Sequence, residues 1–327
     1  MSDIAWLSIT SYCSQLGISF SILTNCTLLA LLSRKQTREL GSYKYLMVTF
    51  CLFSMFYSSV EWFMQPLIHI YDDTTLVIQR KRFDYPWIVA RLISSTYCGC
   101  FATSFTLFAV HFIYRYLAVC KPRLLAYFSG YRFFAWLLGI FLTAFSWAVS
   151  AFFCFPESER TVQSFREVVT NSYNMSVNET AYVPYTFWKY QGNRRFLNPI
   201  NLSGLVQHVV VMSISFTIVF FCGYQTAKLM KKTCPLSGRA KQLQSQLFHA
   251  LVIQTLIPMI FMYIPTSLLL LLPFLSLNIG AYGNMAIVSV HLYPGIDPLV
   301  SILLIHDFRR TLSTAFCNVL RWTTLIS

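Results

Sequence analysis

The sequence predicts an all-α membrane protein: a bundle of seven transmembrane helices, an extracellular N-terminus, and a short amphipathic helix after the seventh span. Three observations predict it. Seven stretches are apolar enough and long enough to cross a bilayer, Lys and Arg collect on alternate connections, and charged residues make up only 11% of the 327. A soluble globular domain carries about 25% charged residues. Twelve Asp and Glu cannot solvate a soluble surface of this size. With 56% hydrophobic residues, the composition excludes a soluble enzyme, a disordered tail protein and a disulfide-stapled secreted module. The formal charge of +13 would suggest a nucleic-acid binder in a soluble protein. Its placement along the chain gives another reading.

A hydrocarbon core of roughly 30 Å needs about 20 mostly apolar residues. The first such stretch is 8–32. The second, 45–70, is interrupted only by Glu61. The third covers 88–119, the fourth 133–155 and the fifth 203–227. From Gln242 to Ile296 there is no formal charge at all. The segment Leu272 to Gly280, with Pro273, Asn278 and Gly280, reads as a turn that splits this run into 247–272 and 281–305. The seven-span domain is then 1–305, and 306–327 is a tail. Each span is expected to be helical, because an unpaired backbone group in lipid costs several kcal/mol. A barrel would need alternating segments of about ten residues, and none is present. The first span lacks the basic start of a cleavable signal peptide and is expected to act as its own uncleaved signal.

The connections 33–44, 115–132 and 228–241 and the tail hold sixteen Lys and Arg. The N-terminus, 71–91, 156–202 and 273–280 hold nine. Basic residues favour the cytoplasm, so the N-terminus is expected outside and the tail inside. With the acids included, the net is +14 on the inner side and +1 on the outer. The charge therefore predicts topology and no nucleic-acid partner. Glycosylation acceptor triplets at Asn174, Asn178 and Asn201 fall on or beside the outer loop 156–202. Asn174 and Asn178 are the candidates, because Asn201 lies close to the membrane. The triplet at Asn25 is inside a span, out of reach.

An ionisable residue inside a span is costly and marks a candidate function. Glu61 lies in the outer third of the second span, with Gln65 at i+4 and His69 one turn further on the same helical face. This is a ligand-facing stripe, an interhelical hydrogen bond, or a side chain reaching the interface. Asp297 lies near the inner end of the seventh span, where a structural or switching role is expected. Pro258 and Pro265, seven residues apart on one face, predict a kinked sixth helix. Pro294 and Pro298 do the same for the seventh. The ten cysteines lie in spans or on the inner side and read as small hydrophobes. No His/Cys spacing predicts a metal, and no motif predicts a cofactor.

Three local strings narrow the choice: His111-Phe112-Ile113-Tyr114-Arg115-Tyr116-Leu117-Ala118-Val119, Pro294-Gly295-Ile296-Asp297-Pro298-Leu299-Val300, and His306-Asp307-Phe308-Arg309-Arg310. In combination, over essentially the whole chain, they closely resemble the nematode chemosensory serpentine receptors of the Str group of G-protein-coupled receptors. The resemblance implies a receptor, not an enzyme. It would bind a small, apolar, odorant-like ligand in the outer half of the bundle and activate a heterotrimeric G protein at the cytoplasmic face. It would reside in the plasma membrane of a sensory cilium, with membrane lipid around it. Arg115 matches the arginine that holds the inner side closed and then meets the G protein. Tyr114 replaces its usual acidic neighbour, so an Asp–Arg lock cannot form, and Tyr116 keeps the aromatic flank. Asp297-Pro298 matches the Asn/Asp-Pro step of the seventh helix, but Ser301 stands where that motif has tyrosine. Asn25 resembles the polar anchor of the first helix. Ala90 stands where rhodopsin-like receptors carry a disulfide cysteine, so that bridge is expected to be missing.

Lys231 and Lys232, in the basic third inner loop, join Arg115 as expected coupling residues. Depth and polarity nominate Glu61, Gln65, Tyr97, Gln207, His208, Tyr263, Ser267 and Tyr282 for the ligand pocket. After the seventh span, Phe308, Leu312, Phe316 and Leu320 recur every four residues beside Arg309 and Arg310, which predicts an amphipathic helix on the inner membrane surface. Cys317 on it is palmitoylated or unmodified. Two other seven-span or multi-span classes make different demands. A ligand-gated cation channel of the insect olfactory type would have the opposite orientation. A transporter would want paired charges near the midplane and an internal repeat.

Overall fold

A computed structural model describes residues 3–34, 40–191, 194–232 and 238–314. Within them, seven helical stretches are long and apolar enough to cross a membrane. The chain begins with α1 (Asp3–Leu32) and α2 (Tyr43–Met64), followed by strands β1 (Pro66–Tyr71) and β2 (Thr74–Arg80). Next come α3 (Trp87–Cys120), α4 (Arg132–Phe153) and a short α5 (Glu159–Glu167). Strands β3 (Thr180–Thr186), β4 (Trp188–Gln191) and β5 (Arg194–Leu197) lead into α6 (Pro199–Lys232). The sixth span is α7 (Gly238–Pro258) plus α8 (Ile264–Leu271), and the seventh is α9 (Asn284–Leu304). Helix α3 is buried along most of its length, whereas α4 turns most of its surface outward. The bundle is therefore built around α3.

The bundle is not purely helical. Strands β1, β2 and β3 form an antiparallel sheet across one end, with β2 in the middle. Val77 pairs with Ile68 on one side and Val183 on the other. This corrects the expected second span, which ends at Met64 and not at residue 70. The physical reason is local. Gln65 takes a left-handed backbone, φ 46° and ψ 61°, and its N–H caps the Glu61 carbonyl. Pro66 follows, and a residue before proline avoids the α region. His69 thus lies on a strand and not on the helical face of Glu61. The β1–β2 turn passes through Asp72 at φ 54°, a conformation that Asp tolerates better than most residues.

The sheet has layers on both sides. Above it, α5 begins with a capping box between Ser158 and Thr161, which satisfies two orphan donors of a helix start. Phe165 of α5 stacks on Tyr182 of β3 at 4.0 Å. Arg160 of α5 pairs with Asp72 and Asp73 of the hairpin turn. Below it lies the bundle: Thr75 donates to the Leu269 carbonyl of α8 at 2.8 Å. Ile70 exchanges backbone hydrogen bonds of 3.1 and 3.2 Å with Gly280 in the last connection, where φ is +56°.

Arg91, near the start of α3, fastens this end. Its guanidinium donates to the carbonyls of Phe152 and Phe155 at 2.9 and 2.7 Å and to Tyr182 at 3.5 Å. One buried cation thereby ties α3 to the end of α4 and to β3. No disulfide joins cysteines of the described residues, and Arg91 supplies the tie beside Ala90.

Proline shapes the last two spans. Between Pro258 and Pro265 the sixth span opens into a π turn, Met259–Tyr263. The ring of a helical proline removes a donor and crowds the previous turn, and a wider turn accommodates it. In α9, Pro298 offers no N–H to the Pro294 carbonyl. Asn25 of α1 fills that role, its Nδ2 donating to Pro294 O at 2.9 Å. α1 and α9 approach closely enough that a Cβ on Gly17 would lie 2.3 Å from the His291 carbonyl oxygen. Beyond α9, residues 306–314 are helical, with Phe308 buried and Arg309 and Arg310 exposed. Phe316, Cys317 and Leu320 lie outside the described residues.

Candidate functional site

Beneath the sheet is a cavity of about 60 Å³. Ile68, Thr75 and Val77 of the sheet and Tyr185 of β3 roof it. Tyr97, Cys98 and Phe101 of α3, Trp147 of α4, Thr266, Leu269 and Leu270 of α8, and Ile287 and Val290 of α9 form its walls. The lining is almost wholly apolar, and such a cavity holds an apolar guest in preference to water. The Thr75 hydroxyl is already spent on Leu269.

Of the residues nominated for a pocket, Tyr97 lines this cavity. Tyr263 lies one layer deeper: its ring meets Phe101 and Phe105 edge-on, and its hydroxyl donates to Ser104 at 3.0 Å. His208 backs the wall, stacked on Trp147 at 3.9 Å. Glu61 faces His291 at 3.8 Å, both buried, next to the lining residue Val290. Ser267 is half-buried on α8 outside the lining. Three others lie elsewhere for identifiable reasons. Gln65 caps α2 below the sheet. Gln207 donates to Ser146 at 3.1 Å on the exposed side of α4. Tyr282 is 59% exposed in the turn before α9. The sheet residues of the roof were missed, because an apolar run that ends a helical span reads as more helix.

The roof carries a proton-sensitive joint. Asn284 accepts from the Ile68 N–H at 2.8 Å, and its amide donates to the Tyr173 hydroxyl at 3.2 Å. That hydroxyl lies 3.1 Å from His69 Nδ1, a hydrogen bond that it donates when the imidazole is neutral at that nitrogen. Burial pushes the His69 pKa below its usual value, with Asp3 opposing. The folded chain therefore binds fewer protons here than the unfolded chain. The stabilisation is complete above the unfolded histidine pKa of about 6.5 and is lost as pH falls through the lower folded value. Thermal unfolding is expected at lower temperature near pH 5.5 than near pH 7.5, with His69→Gln narrowing the gap. A gap of the same size in the variant would remove His69 from this role.

The opposite end of the bundle holds Arg115. It is 1% exposed, and among the described residues no carboxylate pairs with it. Its guanidinium lies 3.5 Å over the Tyr43 ring and donates to Gln244 of α7 at 2.7 Å. The Tyr43 hydroxyl meets His111 at 3.1 Å. Tyr114, in the place of an acid, joins an aromatic ladder that runs from Tyr43 through Phe128 to Trp136. Tyr116 turns toward Phe221 of α6. Asp297 and Pro298 line a small gap of about 20 Å³ with Tyr43 and His111, and neither Asp297 carboxylate oxygen has a hydrogen-bond partner among the described residues. Lys231 is exposed at the end of α6, and the side chain of Lys232 lies outside the described residues.

The family described as serpentine type 7TM GPCR chemoreceptor Str matches residues 10–313. "Serpentine receptor class r-10" of Caenorhabditis elegans is 41% identical, over 97% of this chain and 94% of its own. The protein of the same name from Caenorhabditis briggsae is 40% identical, over 97% and 93%. "G-protein coupled receptor str-217" of Caenorhabditis elegans is 29% identical, over 95% and 91%. The chain belongs to the Str family of serpentine seven-transmembrane chemoreceptors.

Proposed function

We propose that this chemoreceptor binds a small apolar ligand in the roofed cavity and passes the signal along α3 to a G protein at the far end. One observation carries the reading: a single buried helix forms a wall of the cavity at Tyr97, Cys98 and Phe101 and also carries the buried Arg115. Residues 97 and 115 of one helix are about 27 Å apart at 1.5 Å per residue. A ligand acts only by favouring one of two arrangements that already exist. The π turn between Pro258 and Pro265 supplies the flexible joint, because Leu269 and Thr266 touch the cavity above it while Gln244 holds Arg115 below it.

The roofed end is the outer one in this proposal. It carries the nearly neutral connections and the exposed Asn174 and Asn178, which are proposed as glycosylation sites. Asn201 is buried, with its amide on the Thr186 carbonyl. The proposed location is the plasma membrane of a sensory cilium. Lys231, Lys232, Arg115, Tyr116 and Asp297 form the proposed coupling face. A cation channel is not favoured, since the relatives are named as receptors.

The test is expression with a Gα protein and a ligand panel, followed by Val290→Phe, which fills the cavity. The variant is expected to reach the surface normally and to lose at least about tenfold in potency, or about 1.4 kcal/mol. Unchanged potency would place the ligand elsewhere.

A further inference from the structure

On the other side of the α3–α4 packing there is a second, larger space of about 360 Å³. It is a slot with α3 as its floor, from Thr96 to Leu107. Phe53 and Phe56 of α2 form one wall, and Phe141 and Phe145 of α4 the other. Phe56, Phe141 and Phe145 are more than half exposed, so the slot opens sideways from the bundle. Every lining residue lies within a membrane-spanning helix.

We propose that this slot is a binding site for one acyl chain of a membrane phospholipid. Its polar chemistry is closed. The polar hydroxyls in it belong to Thr49, Thr96 and Thr103, and each donates within its own helix, to Tyr45, Leu92 and Gly99 at 2.9, 2.8 and 3.0 Å. Among the described lining residues only the weakly donating Cys100 thiol is left, too weak to hold a headgroup or a polar ligand, so the occupant is hydrocarbon along its whole length. The dimensions agree. Thr96 to Leu107 is about 16 Å of helix at 1.5 Å per residue, close to half of the roughly 30 Å hydrocarbon core. That is the reach of a chain from a single leaflet. The floor is recessed by small residues: a Cβ on Gly99 would already lie 3.0 Å from the Ala144 carbonyl oxygen and 3.2 Å from the Ala148 Cβ. A helix of a second copy, about 10 Å wide with its side chains, would rest on the projecting phenylalanines, whereas a slender chain passes between them.

The slot and the cavity share walls. Gly99 and Cys100 face the slot while Cys98 and Phe101 face the cavity, and Ala148 faces the slot while Trp147 faces the cavity. A chain in the slot therefore braces the α3–α4 contact that shapes the cavity. The site itself rests on the membrane-spanning fold and not on the proposed ligand role.

The test uses the full chain in nanodiscs of phosphatidylcholine with a photoreactive diazirine at mid-chain. After illumination, labelled peptides are mapped by mass spectrometry. Labelling per residue in 96–107 and 137–148 is expected to exceed that on the exposed faces of α1 and α6 by about fivefold, or about 1 kcal/mol of preference. Thr103→Phe, which fills the slot, is expected to lower it to the level of those faces. Should Thr103→Phe fail to fold by thermal melt, Thr96→Leu at the upper end serves in its place, with a partial loss expected. Equal labelling on all faces, or labelling that survives filling in a folded variant, overturns the site. Stronger labelling of the slot by a photoreactive sterol than by the phospholipid overturns the acyl-chain assignment.

Discussion

Arg115→Ala is expected to cut ligand-evoked G-protein activation at least about tenfold while ligand affinity at the cavity changes little more than about twofold. The split follows from the geometry. Arg115 lies at the end of α3 remote from the cavity, and its partners are Tyr43 and Gln244, not cavity residues. A charged group held by a cation–π contact and a charge-assisted hydrogen bond resists leaving. Each contact is worth about 1–3 kcal/mol when buried. Gln244→Ala removes the hydrogen bond to the sixth span but keeps the arginine, so it is expected to raise ligand-independent signalling by severalfold. The measurement is G-protein activation in membranes with and without ligand, alongside surface expression. A silent Gln244→Ala together with a fully active Arg115→Ala would show that this end of the bundle does not gate coupling.

The missing acid beside Arg115 shows what sequence can and cannot say. Tyr114 at that position excludes an Asp–Arg lock, and this was legible. What replaces the lock was not, because Tyr43 and Gln244 stand far from Arg115 along the chain and have no spacing rule that joins them. The answer required the packing of α2 and α7 against α3. Tyr114 itself is not idle, since it links Tyr43 to Phe128 and so to the connection after α3.

The spans were legible because lipid imposes a length and a composition on each of them. The roof was less so. Residues 66–71 are as apolar as the helix before them, and hydrophobicity alone does not separate a buried strand from a buried helix. The signals were present in local chemistry. Pro66 after Gln65 marks a stop, and the pair Asp72-Asp73 between β-branched and aromatic runs marks a hairpin. The pocket was read by depth and polarity, and that rule favours the wrong atoms here. The lining is mostly aliphatic and aromatic, so polar residues such as Gln207 and Tyr282 fall outside it while Leu269, Ile287 and Val290 fall inside.

The second large effect is expected at Asn25. Its replacement by leucine should lower stability by about 2–3 kcal/mol, although the side chain carries no charge and is not part of the cavity lining. The reason is a debt of the backbone. Pro298 cannot donate to the Pro294 carbonyl, and in lipid an unpaired carbonyl costs several kcal/mol. Asn25 supplies the missing donor across the α1–α9 contact at 2.9 Å, and it is fully buried. Pro298→Ala returns an N–H to α9, so Asn25→Leu should cost less in that background, with a coupling of about 1 kcal/mol or more in a double-mutant cycle. Thermal unfolding of the four proteins in one detergent measures it. The same amide donates to the Ser21 carbonyl at 2.8 Å, so strictly additive losses would mean that Asn25 acts through that bond alone and that the hydrogen bond to Pro294 contributes nothing to holding α1 on α9.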